Sequence, residues 1–404
     1  VPTAGQRISR LSRQVGSVLQ NADSQIVNSL VEDELAFGCE NLLYPADEIR
    51  RRVKQACARM ELEPSWRTRT LSGGQKQRLI TASTLAMGQK ILVLEEPLAN
   101  LDRQGAGLLL RELRALADQG YAVLFVEHRL DMALSYVHRV AWLEKGRIQI
   151  LPDPNEALRR GRGLIGDSGE IEHGRQPCLK AQGLALRIRD RDILREVSFT
   201  LHKGERLVIL GENGCGKTTL LRLLARLQKP TGGQIRQYLD PGVTMGSPRW
   251  FRRAGFVYQN PDYQLFMPSV EEEVGYNARS PEAARLAMAA FSLEKLTKSH
   301  PHSLSEGQKR RVSIAAVAAL EPDLLFLDEP TVGQDYENLK LIVEAVNTLH
   351  RRQKNAMITV THDIRCAAAL ADRVLWIREG VIWREGGKEL AEEYFKEDAA
   401  VYVQ

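Results

Sequence analysis

With 404 residues the chain exceeds what one hydrophobic core usually serves, so two domains are expected. Hydrophobic residues at 43% and charged residues at 26% suit a globular protein with ample core, and no apolar run approaches the roughly 18 residues of a membrane span. A net charge of +5, with Lys and Arg interleaved among Asp and Glu, argues against nucleic acid as a partner, and five scattered cysteines without a C-x-x-C pair argue against structural zinc and fit a reducing cytoplasm.

In chain order, VLQN ends at Asn21, LSGGQKQR follows from Leu71, and ILVLEE from Ile91 reads as a buried strand. LLLRELRALADQ is an amphipathic helix, and AVLFVEH and RVAWLEKGRI are further strands, an alternation that implies parallel strands with crossover helices. The stretch 151–178, rich in Pro, Gly and charge, reads as a linker. After it, 179–205 shows β-prone runs split by charged turns, the pattern of a small antiparallel sheet. RLVIL, GENGCGKTT and LLRLLARL then read as strand, loop and helix.

The chain repeats itself. LSGGQKQR returns as LSEGQKRR 233 residues later, ILVLEEP as LLFLDEP, VEH as VTH, and VLQN as VYQN. The expected architecture is α/β with a first domain over 1–150, the linker, and a second domain over 179–404. Lys217 precedes Gln259 by 42 residues, so the matching lysine of the first copy would lie before Val1. The first copy therefore carries no phosphate loop or antiparallel sheet in this sequence, and a fragment of a longer polypeptide is the expectation.

Gly211, Glu212, Asn213, Gly214, Cys215, Gly216, Lys217, Thr218 and Thr219 match G-x-x-x-x-G-K-[ST] in the right strand-to-helix context. The glycines let backbone N–H groups turn toward a β-phosphate, Lys217 reaches its oxygens, and Thr218 holds Mg²⁺. Asp328 and Glu329 end an apolar strand, Asp328 suited to the metal and Glu329 to polarising the attacking water. His362 ends the next strand and is placed for the γ-phosphate, while Gln259 can position water and metal. Cys215, at a helix start beside Lys217, is expected to be the most alkylation-sensitive thiol.

With its LSGGQ pentad the chain resembles the ABC ATPase family, over nearly its whole length. The resemblance implies two tandem P-loop domains, each with a mainly parallel core sheet and a helical subdomain, hydrolysing ATP with Mg²⁺. It also implies that Lys217, Asp328, Glu329 and His362 work against Ser72, Gly73, Gly74 and Gln75. The opposite site would use Gln20, Glu95, Glu96 and His128 against Ser305, Glu306, Gly307 and Gln308. Glu95 stands there for the usual magnesium-binding Asp and Glu306 for a glycine, so unequal sites are expected. Ile188 stands where the family usually stacks an aromatic ring on adenine.

The segments 20–38 and 259–277 resemble those of energy-coupling-factor ATPases that drive vitamin and metal-ion uptake. Their apolar anchors, Ile26 and Phe37 or Leu265 and Phe266, and their acids, Glu32, Asp33 and Glu34 or Glu271, Glu272 and Glu273, are expected to dock integral membrane subunits. That places the chain peripherally on the cytoplasmic face of the cell membrane. The competing readings are a sugar-importer tandem ATPase and a soluble ribosome-acting ABC protein; the Pro- and Gly-bearing linker and the Q-N-P-D-x-Q segment weigh against them.

Overall fold

The structure is a computed structural model that describes residues 5–98, 101, 103–144, 146–162 and 176–400. The chain folds as two units divided between Arg162 and Gly163. In the first, β1 (Val15–Val18), α1 (Val31–Asn41), α2 (Ala46–Met60), α3 (Gly73–Met87), β2 (Ile91–Glu95), α4 (Arg103–Asp118), β3 (Ala122–Val126), β4 (Val140–Glu144), β5 (Arg147–Leu151) and α5 (Asn155–Arg162) follow in order. The segment expected as a linker is thus helical from Asn155, with Ala157 fully buried. Its far end, Pro177 and Cys178, already belongs to the second unit's first strand, and 163–175 lie outside the described residues.

The second unit runs β6 (Pro177–Ile188), β7 (Arg191–His202), β8 (Arg206–Leu210), α6 (Lys217–Leu224), β9 (Gly232–Gln237), β10 (Ala254–Val257), α7 (Val270–Gly275), α8 (Pro281–Ala290), α9 (Glu306–Ala318), β11 (Leu324–Asp328), α10 (Tyr336–Gln353), β12 (Ala356–Val360), α11 (Ile364–Leu370), β13 (Arg373–Arg378), β14 (Val381–Gly387) and α12 (Glu389–Ala400). Its main sheet has the order β10-β11-β12-β8-β13-β14, parallel except for β14, and β7-β6-β9 form the expected antiparallel sheet. Strands buried on both faces are mostly apolar, and β8, β11 and β12 are buried throughout, with Arg206, Asp328 and Thr359 as their polar members. Alternate side chains serve two cores. Val208, Leu210 and Leu327 pack with helices α9 and α10, while Leu207, Ile209 and Phe326 pack with α6 and the antiparallel sheet.

The first unit keeps the same plan in part. Its strands β1-β2-β3 form a parallel sheet and β4-β5 a separate hairpin. In the second unit β8 pairs with both β12 and β13, and the described residues of the first unit contain no strand in that place. Among the described residues one face of the small sheet is exposed. Ile91, Val93, Leu124 and Val126 are 41%, 37%, 61% and 55% exposed, whereas their repeats Leu324, Phe326, Ile358 and Val360 are at most 1% exposed beneath the antiparallel sheet and α6. No helix among the described residues is long and apolar enough to cross a membrane.

Candidate active site

The glycine-rich loop leaves the end of β8 and enters α6, so the first-turn amides of that helix point at whatever the loop encloses. Two of its glycines are required by space and by backbone. A Cβ on Gly211 (φ +149°) would sit 2.3 Å from the carbonyl oxygen of Ile377, and one on Gly216 (φ +103°) 2.9 Å from that of Ile193. Glu212, Asn213 and Gly214 form the exposed outer curve, and Thr219 lies in the first turn of the helix. Lys217 is buried and folds back over the loop, its Nζ donating to the carbonyls of Gly211 and Glu212, both at 2.8 Å. This cradle fits a di- or triphosphate, because the Lys217 cation is already held over the loop and the first-turn amides of α6 face it.

Thr218 Oγ1 donates to Asp328 Oδ1 at 2.8 Å, which sets two hard oxygen donors side by side, a pair that could hold Mg²⁺. Burial raises the Asp328 carboxyl above its ordinary value, against the Thr218 hydrogen bond and the Lys217 charge. Glu329 follows in a left-handed conformation, φ +51°, which a non-glycine residue adopts only where its surroundings impose it. Its carboxylate accepts the His362 backbone N–H at 3.1 Å and lies 3.3 Å from His362 Nε2. Burial pushes this carboxyl up to about 7, so a proton can be taken up and given back near neutrality. Gln259 stands exposed just past β10 and makes no hydrogen bond to Glu329 among the described residues.

The first unit assembles its own set. Glu96 has φ +46°, accepts from Gln20 Nε2 at 2.9 Å and lies 3.3 Å from His128 Nε2. Gln20, Glu96 and His128 therefore converge although no phosphate loop lies among the described residues, and Glu95 is exposed at the end of β2. Glu127, which the sequence reading passed over, accepts the backbone N–H groups of Leu98, His128 and Arg129 and fixes the loop carrying His128. Its signal was an acid beside that histidine in VEH.

Both signatures start helices through reciprocal capping boxes, Ser72 with Gln75 on α3 and Ser305 with Gln308 on α9. Gly73 and Gly74 form the first turn of α3, presenting amides at its positive end. Glu306 turns its carboxylate to Lys309 at 3.1 Å, which offsets part of the expected repulsion, and a Cβ on Gly307 would meet Gln334 Oε1 at 2.8 Å. Ile188 lies 48% exposed at the end of β6, offering aliphatic surface only.

Several expectations need correction. Cys215 is buried like the other four cysteines, and desolvation raises its thiol above the usual range in spite of Lys217 and the loop amides. Leu265 is core, not an anchor, at 3% exposure. Glu34 and Glu273 are buried as well, and hold loops: Glu34 Oε2 accepts the N–H groups of Val27 and Asn28, and Glu273 Oε2 those of Phe266 and Met267. The exposed set is Glu271, Glu272, Tyr263, Phe266 and Tyr276 in the second unit, with Val27, Glu32, Asp33 and Phe37 in the first. Phe266 and Tyr276 meet edge to face at 5.7 Å.

The family profile described as ABC transporter matches residues 2–99 and 194–332. A protein of Methanosarcina acetivorans, provisionally named an ABC transporter ATP-binding protein, is 32% identical over 94% of this chain and 74% of its own length. A Bacillus subtilis protein provisionally named the HMP/thiamine import ATP-binding protein YkoD is 29% identical over 91% of this chain and 75% of its own. Among solved structures, the complex of an archaeal ribosome recycling factor with a ribosomal stalk protein aligns with a TM-score of 0.67 at 22% identity, over 94% of this chain and 76% of that one, a likeness of fold alone.

Proposed function

Since the chain belongs to the ABC transporter family and is an ATPase that uses ATP with Mg²⁺, we propose that it energises an uptake transporter of the energy-coupling-factor kind, for a vitamin or a metal ion. The observation that carries this reading is the surface after Gln259, where exposed Tyr263 and Phe266, the latter on a loop pinned from within by Glu273, precede α7 with its exposed Glu271 and Glu272 and Tyr276 at its end. An apolar helix with basic flanks, borne by an integral membrane subunit, has the complementary chemistry. The thiamine-import name of the Bacillus subtilis relative points the same way. In this reading Lys217, Thr218, Asp328, Glu329, His362 and Gln259 do the chemistry, and Ser72, Gly73, Gly74 and Gln75 act as signature donors to a nucleotide.

The test is co-purification from detergent-solubilised membranes. Phe266→Asp combined with Glu272→Lys should remove most of the co-purifying integral membrane protein while ATP binding stays within about twofold, because both side chains lie outside the phosphate cradle. Undiminished membrane recovery, or ribosomal subunits in place of membrane proteins, sinks the proposal.

A further inference from the structure

The signature helices of the two units are tied to their glutamine loops in different ways. In the second unit Arg310, 6% exposed in the second turn of α9, donates from Nη1 to the carbonyl of Tyr258 at 3.2 Å and to the carbonyl of Gln259 itself. One turn further along the helix, the Ser313 carbonyl accepts from Gln264 Nε2 at 3.0 Å, and Gln264 Oε1 in turn accepts the Tyr258 N–H at 3.0 Å. Residues 258 and 259 are thus held to α9 at two points.

Neither tie exists among the described residues of the first unit. The repeat of Arg310 is Gln77, which is fully buried and whose Nε2 and Oε1 have no hydrogen-bond partner among the described residues. The repeat of Gln264 is Gln25, which accepts the Leu19 N–H at 2.8 Å but turns its amide back to the Ser17 carbonyl on β1, at 3.5 Å. What both units share is a partly exposed ion pair, Lys76 with Asp23 at 2.6 Å and Lys309 with Asp262 at 3.1 Å, a contact that water and salt weaken. A guanidinium has the length and charge to grip two carbonyls across the gap, whereas a glutamine in the same place is shorter and neutral.

We propose that Arg310 is a positioning residue that passes the placement of Gln259 to the start of α9, and that the first unit has no equivalent link between Gln20 and α3. Arg310 stands four residues after Glu306, about one helical turn, so a shift of the Gln259 backbone pulls on the turn that carries Ser305, Glu306 and Gly307. The second unit, which holds the phosphate loop, is then the one whose signature helix responds to its own glutamine loop. This inference rests on the reading of Gln259 as a nucleotide-site residue.

Hydrogen exchange of the full 404-residue chain, with and without Mg²⁺ and a non-hydrolysable ATP analogue, tests it on peptides covering 257–264 and 304–311. The first unit buries a glutamine at the same point of the same kind of helix, so Arg310→Gln should fold, with melting as the control. In the unsubstituted chain nucleotide should slow exchange in both peptides, by about tenfold at the start of α9. Arg310→Gln should keep the slowing in 257–264 and lose it in 304–311, and Arg310→Lys should restore part of it. If Arg310→Gln leaves both responses intact, or abolishes both together with nucleotide binding, the link is refuted while Gln259 keeps its place. If nucleotide fails to slow 257–264 in the unsubstituted chain, the reading of Gln259 itself falls and the link with it.

Discussion

Replacing Glu329 by glutamine changes one charge in an otherwise unaltered pocket. The side chain is 4% exposed, and the amide of a glutamine fills the same volume and can still accept the His362 N–H now held at 3.1 Å. What disappears is the group able to take a proton from water. General-base removal costs about 10²- to 10⁴-fold in kcat, a barrier increase of about 3 to 5 kcal/mol. The KM for ATP should stay within about threefold, because Lys217, Gly211 and Gly216 are untouched. Stability should not fall. The folded carboxyl is raised from 4.5 to about 7, so the native state holds its proton more tightly than the unfolded chain does. Stability is therefore lost as pH rises through that window, and glutamine escapes a cost of up to about 3 kcal/mol at pH 8. Steady-state ATPase assays with Mg²⁺, beside thermal unfolding of the nucleotide-free chain at pH 5 and 8, read both effects. The matching change Glu96→Gln should cost far less, under about threefold, since its neighbour Glu95 stands where the second unit has the metal-suited Asp328. Equal losses from Glu96→Gln and Glu329→Gln would mean two working sites and refute the asymmetric reading. A Glu329→Gln enzyme within tenfold of the unsubstituted one would refute the assignment of the base.

Ser72→Arg should depress ATPase activity by about 10²-fold or more, because it replaces the capping hydroxyl at the start of α3 with a bulky cation, and steady-state turnover near the unsubstituted rate would remove Ser72 from the reaction. Cys215 should alkylate slowly at pH 7 and faster as pH climbs past the ordinary thiol range, because its raised pKa leaves little thiolate at neutrality. Peptide mapping that finds Cys215 modified within minutes at pH 7 would show that burial does not control it.

The sequence alone determined the elements whose signal is local. The phosphate loop, the two signatures and the strand-ending carboxylates are short motifs whose backbone demands fix their residue types, and each stands on the expected element. The duplication was legible for the same reason, since repeated local motifs keep their spacing. The linker was misjudged in part because its helix Asn155–Arg162 owes its burial to first-unit packing, while its composition suggested only solvent. Which side chains turn inward, and what they meet there, was what tertiary structure decided. Glu34 and Glu273 look like their exposed acidic neighbours, yet each turns inward to bind loop amides six or seven residues before it. Cys215 was misread because the helix start and Lys217 are visible in sequence, whereas the packing that desolvates the thiol is not. The difference between Arg310 and Gln77 is a single letter in a repeated motif. It acquires meaning only where α9 and β10 meet, because a buried side chain's role depends on which backbone carbonyls come within its reach.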